Sequence, residues 1–212
     1  RLVGSEMCIR DRSYNATTGV LTLSGTDTVA NYQAALRSVK FSSSADDPIT
    51  TPRNVTFAVN DGAFVGSATT SVTITAINDA PIVTANATLT YNEQATAAVI
   101  SPTLTLSDVD NTSFTGATVT LSGFTSSDLL SFTSIGSITG SYNAATGVLT
   151  LSGTDTVANY QAALRSVKFS SNADDPITTP RNVTFAVNDG ALVGSATTSV
   201  TITAINDAPI VT

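Results

Sequence analysis

The sequence predicts an all-β protein: tandem β-sandwiches with one short helix per repeat. Three observations predict it. Apolar and polar residues alternate at period two in short runs, as in "NVTFAVNDG" and "SVTITAI". The polar partner is mostly Thr or Ser, and Thr and Val favour a pleated, half-buried surface. The chain also repeats itself. Residues 13–84 recur as residues 141–212, an offset of 128, with 69 of 72 positions identical. The three differences are Thr17/Ala145, Ser44/Asn172 and Phe64/Leu192.

Composition narrows the possible functions. The 212 residues carry a net charge of −7; 42% are hydrophobic and only 12% charged. Such a chain repels nucleic-acid phosphates and anionic membranes, so no nucleic-acid partner is expected, and its natural counter-ions are cations. There is no histidine, and the one cysteine, Cys8, lies in the first 12 residues. These counts leave no disulfide framework, no Cys/His zinc site and no His-based acid–base catalysis, and no enzyme activity is expected. No apolar run approaches the roughly 18 residues of a membrane span.

The opening "RLVGSEMCIRDR" differs from everything after it. It holds Cys8, Met7 and three of the nine basic residues. In the repeat register it faces "LLSFTSIGSITG" at 129–140, and only Leu2 matches, with Leu130. Near-identity stops between Arg12 and Ser13, inside a repeat. The segment resembles translated sequencing-adapter DNA, so residues 1–12 are expected to be an artefact and the rest a metagenomic fragment of a longer array. Residues 13–79 read as the C-terminal half of one repeat. Residues 80–207 read as a complete repeat and 208–212 as the start of another, with "AINDAPIVT" as punctuation at 76–84 and 204–212.

Within the complete repeat the elements follow in order. "TLTLSD" (103–108), "ATVTLSG" (117–123) and "GVLTLSG" (147–153) alternate as strands. "DTVANYQAALRSVKF" breaks the rule, with Val157, Tyr160, Ala163 and Leu164 at helical spacing. Asp155 or Thr156 can cap it, and one short helical turn burying Tyr160 and Leu164 is expected. "NVTFAVNDG" sets Val183, Phe185 and Val187 against Thr184 and Ala186, and Asn-Asp-Gly at 188–190 marks a tight connection. The last strand alternates Val200 and Ile202 with Thr201 and Thr203. Many short strands with turns every 8–12 residues make a sandwich.

Acidic and amide residues cluster where strands end. "LSDVDN" carries Asp108 and Asp110, "VNDG" carries Asp61 and Asp189, and "AINDAP" carries Asn78, Asp79, Asn206 and Asp207. "ADDP" adds Asp46, Asp47, Asp174 and Asp175, and "YNEQ" adds Glu93. At a bent strand end, Asp-x-Asp can turn two carboxylates toward one point, and calcium takes six to eight oxygen ligands in loose geometry. The spacing is not that of an EF-hand, because Ser113 and Val119 stand where that loop needs Gly and Glu. The Gly-rich nonapeptide of calcium-binding β-helices is also absent. Asp and Asn equally form turns by bonding their own backbone, so both readings stay open at each position.

"FAVNDGALVGSATTSVTITAINDAPIV" is similar to the end of a cadherin-type domain, with its Asp-Gly turn, Thr/Val-rich last strand and Asn-Asp-x-Pro linker. "YNEQA" resembles the first-strand Pro-Glu-Asn segment of that family, and "LSDVDN" its Asp-x-Asp. The chain most resembles bacterial cadherin-like tandem repeats of large surface or secreted adhesins. "YQAALRSVKF" looks like the related chondroitin-sulfate-proteoglycan-type repeats. The resemblance covers residues 13–212. It implies Ig-like, cadherin-like Greek-key sandwiches with calcium between neighbouring repeats. It further implies Asn78, Asp79, Asp108, Asp110 and Asp189 as ligands at the first junction, and Glu93, Asn206 and Asp207 as a partial second set. Asp46, Asp47, Asp61, Asp174 and Asp175 are weaker candidates, since "ADDP" stands in place of the cadherin Leu-Asp-Arg-Glu motif. The implied role is an extracellular adhesive or spacer module, with neighbouring repeats and cell-surface glycans or proteins as partners. The alternative is a polysaccharide-binding module, with Tyr91, Phe114, Phe124 and Tyr142 as candidates to stack on sugars.

Overall fold

A computed structural model describes residues 11–208. The expectations for residues 1–10 and 209–212 lie outside the described residues. The chain divides between Ala76 and Ile77 into two compact units.

The first unit contains β1 (Asp11–Asn15), β2 (Val20–Ser24), α1 (Val29–Arg37), β3 (Arg53–Asn60) and β4 (Val65–Val72). β1 pairs antiparallel with β2, and β3 with β4, as two separate two-stranded sheets. Asn15 closes the first hairpin by accepting the Thr17 and Thr18 amides at 2.9 and 3.2 Å, the self-bonding that suits Asn to turns.

The second unit holds β5 (Ile82–Thr84), β6 (Leu89–Asn92), β7 (Ala98–Val99), β8 (Thr105–Ser107), β9 (Ser113–Ser122), β10 (Asp128–Ser131), β11 (Thr139–Asn143) and β12 (Val148–Thr156). α2 (Val157–Arg165), β13 (Lys168–Ser171), β14 (Arg181–Asn188) and β15 (Val193–Thr203) complete it. Six strands form one sheet in the order β11-β12-β9-β14-β15-β6, and β10-β13-β7 form a second. β5 and β8 make a short antiparallel pair of their own. β6 lies parallel to β15, with Leu89 opposite Val200 and Asn92 opposite Thr203. The inward residues of both sheets form one apolar core with those of α2, so the unit is the expected all-β sandwich. Period two holds where it was read: Val183, Phe185 and Val187 of β14 and Val200 of β15 are fully buried, and Ile202 of β15 is 4% exposed.

The helix is longer than expected. α2 runs nine residues and not one turn, because Thr156 caps it cleanly, its hydroxyl accepting the Asn159 amide at 3.2 Å. The Ala and Leu residues behind that cap are strong helix formers. Tyr160, Ala163 and Leu164 are buried, and Tyr160 meets Phe114 edge-on with ring centroids 6.0 Å apart. Asp155 does other work. It accepts the Thr156 amide at 2.8 Å, the Asn159 side chain at 2.7 Å and the Ser137 amide at 2.7 Å. The Ser137 bond is the largest of the effects that hold its carboxyl down to about 2.

α1 has the same nine residues and the same cap, Thr28, yet it buries none of them fully. Leu149 is 2% exposed and its twin Leu21 40%; Val187 is 0% exposed and its twin Val59 38%. The difference is β9. That strand lies between β12 and β14 and pairs with both, whereas residues 11–76 contain no counterpart of it. Local sequence therefore makes the hairpins and the helix, and their burial in the second unit comes from elements outside the repeated segment: β9, which joins them, and the core residues Tyr91, Ile100, Leu104 and Leu130.

Candidate metal centre

Three segments converge at one end of the second unit. The β5–β8 register pairs Ile82 with Ser107. Carried three residues outward, it sets Asp79 opposite Asp110, and the Asp79 amide donates to Asp110 Oδ2 at 3.1 Å. The third segment is the β14–β15 turn. There Asp189 accepts the Ala191 and Leu192 amides at 2.6 and 2.7 Å, and Gly190 turns the chain at φ 116°. Asn78 reaches across to this turn, its Nδ2 donating to Asp189 Oδ2 at 2.8 Å.

A residue that the ligand set omitted completes the cluster. Asn111 donates its side-chain amide to Asn78 Oδ1 at 2.9 Å and to Asp110 Oδ1 at 3.1 Å. Its position directly after Asp-x-Asp was the available signal. Asp108 Oδ1 accepts the backbone amides of Asp110 and Asn111 at 3.2 and 2.9 Å, while Asp108 Oδ2 is buried with no hydrogen-bond partner. Burial pushes the Asp108 carboxyl up, with Asp110 adding to the rise. Asp110 is held below the usual carboxylate range, chiefly by the neighbouring Asp108 carboxyl, with the Asp79 amide and the Asn111 side chain adding to the fall. Asp189 is likewise lowered, first by the Asn78 amide.

The carboxylates are therefore bridged by the amides of Asn78 and Asn111. Among the described residues, no group of three or more Asp, Glu, Cys or His side chains is gathered as a metal site. The other candidates are dispersed. Glu93 stands at the end of β6, 5% exposed, its amide donating to Thr203 O at 3.0 Å and its Oε2 buried without a partner. Asn206 repeats the turn of Asn78: each side-chain amide donates to the next residue's carbonyl, at 3.1 and 2.9 Å. Asp61 accepts the Ala63 and Phe64 amides and acts as a turn-former. Asp174 accepts from Gln94, and Asp46, Asp47, Asp175 and Asp207 are exposed.

The candidate sugar-stacking aromatics are not surface platforms. Tyr91 and Phe114 are core residues, 1% and 0% exposed, and Phe124 and Tyr142 pack partly buried against that core. Alternation alone could not separate an aromatic facing inward from one at a rim.

Gly194 seats the linker. A Cβ there would lie 1.6 Å from the Pro81 carbonyl oxygen, so only glycine lets the chain cross β15. Its twin Gly66 has nothing within 4 Å. Gly194→Ala is expected to destabilise the second unit by about 1–3 kcal/mol and to loosen the Asp79 amide in hydrogen exchange. Gly66→Ala is expected to stay within about 0.5 kcal/mol of the parent. Equal effects in urea melts would mean that Pro81 does not rest on Gly194.

No protein-family model matches the chain, and no curated protein matches it. Solved structures do. Human protocadherin-24 EC1-2 is similar at 14% identity and TM-score 0.35, over 96% of this chain and 80% of that one. Mouse clustered PcdhgC3 EC1-3 is similar at 14% identity and TM-score 0.29, over 73% and 43%. The endo-fucoidan hydrolase MfFcnA4 of glycoside hydrolase family 107 gives 13% identity and TM-score 0.23, over 95% of this chain and 23% of that one. At such identities and TM-scores no shared chemistry follows.

Proposed function

We propose that the chain is a non-catalytic repeat module of a large bacterial surface or secreted adhesin, working outside the cell and stiffened by calcium where repeats join. The observation that carries this reading is the convergence of Asn78, Asp79, Asp108, Asp110 and Asp189 from three separate segments, around the unpartnered Asp108 Oδ2. A cation would replace the amide hydrogens that now bridge the acids, and Asn78 and Asn111 would turn their side-chain oxygens inward as ligands. An orphaned buried carboxylate oxygen and abundant oxygen donors suit a hard cation such as calcium. The near-identity of the two copies suits a spacer, which needs length and not a unique site. The polysaccharide-binding alternative is weakened by the burial of Tyr91 and Phe114.

Affinity is expected at roughly 10⁻⁴–10⁻³ M, the range of extracellular modules. Saturating calcium should then add about 1–3 kcal/mol to the second unit, a rise of several degrees in melting temperature. A melt of the full chain in 10 mM calcium against EDTA (a concentration of about 10 to 100 times that Kd) tests this, with Asp108→Ala/Asp110→Ala as the control expected to show no difference. An unchanged melting temperature in the parent chain would sink the reading.

A further inference from the structure

We propose that α2 positions the acidic cluster: Gln161 and Arg165 grip β8 and so fix where Asp108 and Asp110 stand. Its consequence for calcium rests on the function proposed above. β8 and β5 are three residues long each, and an isolated two-stranded pair is marginal in water. β5 takes one edge of β8, with Val83 opposite Leu106. Among the described residues no strand takes the other edge.

α2 takes the place of that strand. Gln161 Oε1 accepts the Leu106 amide at 3.0 Å, and Arg165 Nε donates to the Leu104 carbonyl at 2.6 Å. The two side chains stand four apart, on neighbouring turns of one helix face. Their partners are alternate residues of the strand, and the side chains of Leu104 and Leu106 are buried in the core. Without Gln161 the Leu106 amide would lose its acceptor, a cost that falls on the strand itself.

The grip ends two residues before Asp108. Beyond it the chain turns on Asp108 Oδ1, which accepts the Asp110 and Asn111 amides. Asp110 Oδ2 then accepts the Asp79 amide from the β5 side. All these contacts hang on one register, so a slip or fraying of β8 moves both acids away from Asp79 together. Linkage makes the effect reciprocal: the factor by which the grip raises cation affinity is the factor by which the cation tightens the grip.

The test uses the isotopically labelled full chain and the variants Gln161→Leu, Gln161→Glu and Ala162→Gly, in EDTA and in calcium. Salt at about 0.15 M screens the carboxylate that Gln161→Glu adds. In EDTA, Gln161→Leu is expected to speed exchange of the Leu106 and Asp79 amides about fivefold. It is also expected to weaken calcium binding about fivefold, and saturating calcium to slow the parent's Leu106 amide by the same factor. Gln161→Glu keeps the acceptor and is expected to restore all of these. Ala162→Gly lies on the exposed face of α2 and lowers the melting temperature through helix propensity. It is expected to leave Asp79 exchange and calcium affinity unchanged. Parent-like Asp79 exchange in Gln161→Leu, or an equal change in Ala162→Gly, would overturn the proposal. If the parent takes up no calcium, the calcium reading fails, and the exchange rates in EDTA still decide whether α2 positions the cluster.

Discussion

Tyr160→Ala is expected to destabilise the second unit by about 3–5 kcal/mol, and Tyr32→Ala to change the first by about 1 kcal/mol or less. The two tyrosines sit in identical nine-residue helices. Both hydroxyls donate to a glycine carbonyl seven residues back, Gly153 for Tyr160 and Gly25 for Tyr32. Propensity, capping and that local bond therefore cancel in the comparison. What remains is burial: Tyr160 is fully enclosed by the sandwich core and packed on Phe114, and Tyr32 is only half-buried. Residue-resolved hydrogen exchange on the full chain reads both losses in one sample. Equal losses would show that the first helix has a core of its own.

Asp128→Ala is expected to cost about 3–5 kcal/mol, as is Arg181→Ala, because either leaves one charge buried and unpaired. Arg181 and Asp128 have side chains 1% and 0% exposed. Asp128 Oδ2 also accepts the Thr125 amide at 2.8 Å, and the guanidinium donates to the Ile177 and Thr179 carbonyls. The double change Asp128→Leu/Arg181→Met is expected to recover most of the loss, since a matched apolar pair carries no desolvated charge. A double variant as unstable as either single one would show that the pair, and not the lone charge, sets stability. Arg53→Ala, with no carboxylate to lose, is expected to cost about 1 kcal/mol or less.

The strands and the helix were legible because their causes are local. Thr/Val alternation at 183–187 and the 157/160/163/164 spacing name inward faces without reference to anything distant. The helix length was misjudged because the strength of the Thr156 cap is a matter of geometry. The ion pair of Arg181 with Asp128 was invisible: the residues lie 53 apart, and an isolated Asp in "SSDLL" reads as a turn. For the linker cluster, residue types were legible and geometry was not. Asp-x-Asp and Asn-Asp announced themselves, but the meeting of Asp79 with Asp110 depends on the β5–β8 register, which two short strands do not advertise. Asn111 was overlooked because an amide after two acids reads as turn chemistry.

The parallel pairing of β6 with β15 has a mechanical meaning. Four consecutive residue pairs, 89–92 against 200–203, tie an early strand of the unit to its last one. The Thr198 and Thr201 hydroxyls add bonds to the carbonyls of Ala87 and Leu89. Tension drawn along the chain pulls these two strands past each other lengthwise, so the bonds share the load and break together. A hairpin pulled at its open end peels one bond at a time. The β6–β15 seam is thus arranged for shear and not for peeling.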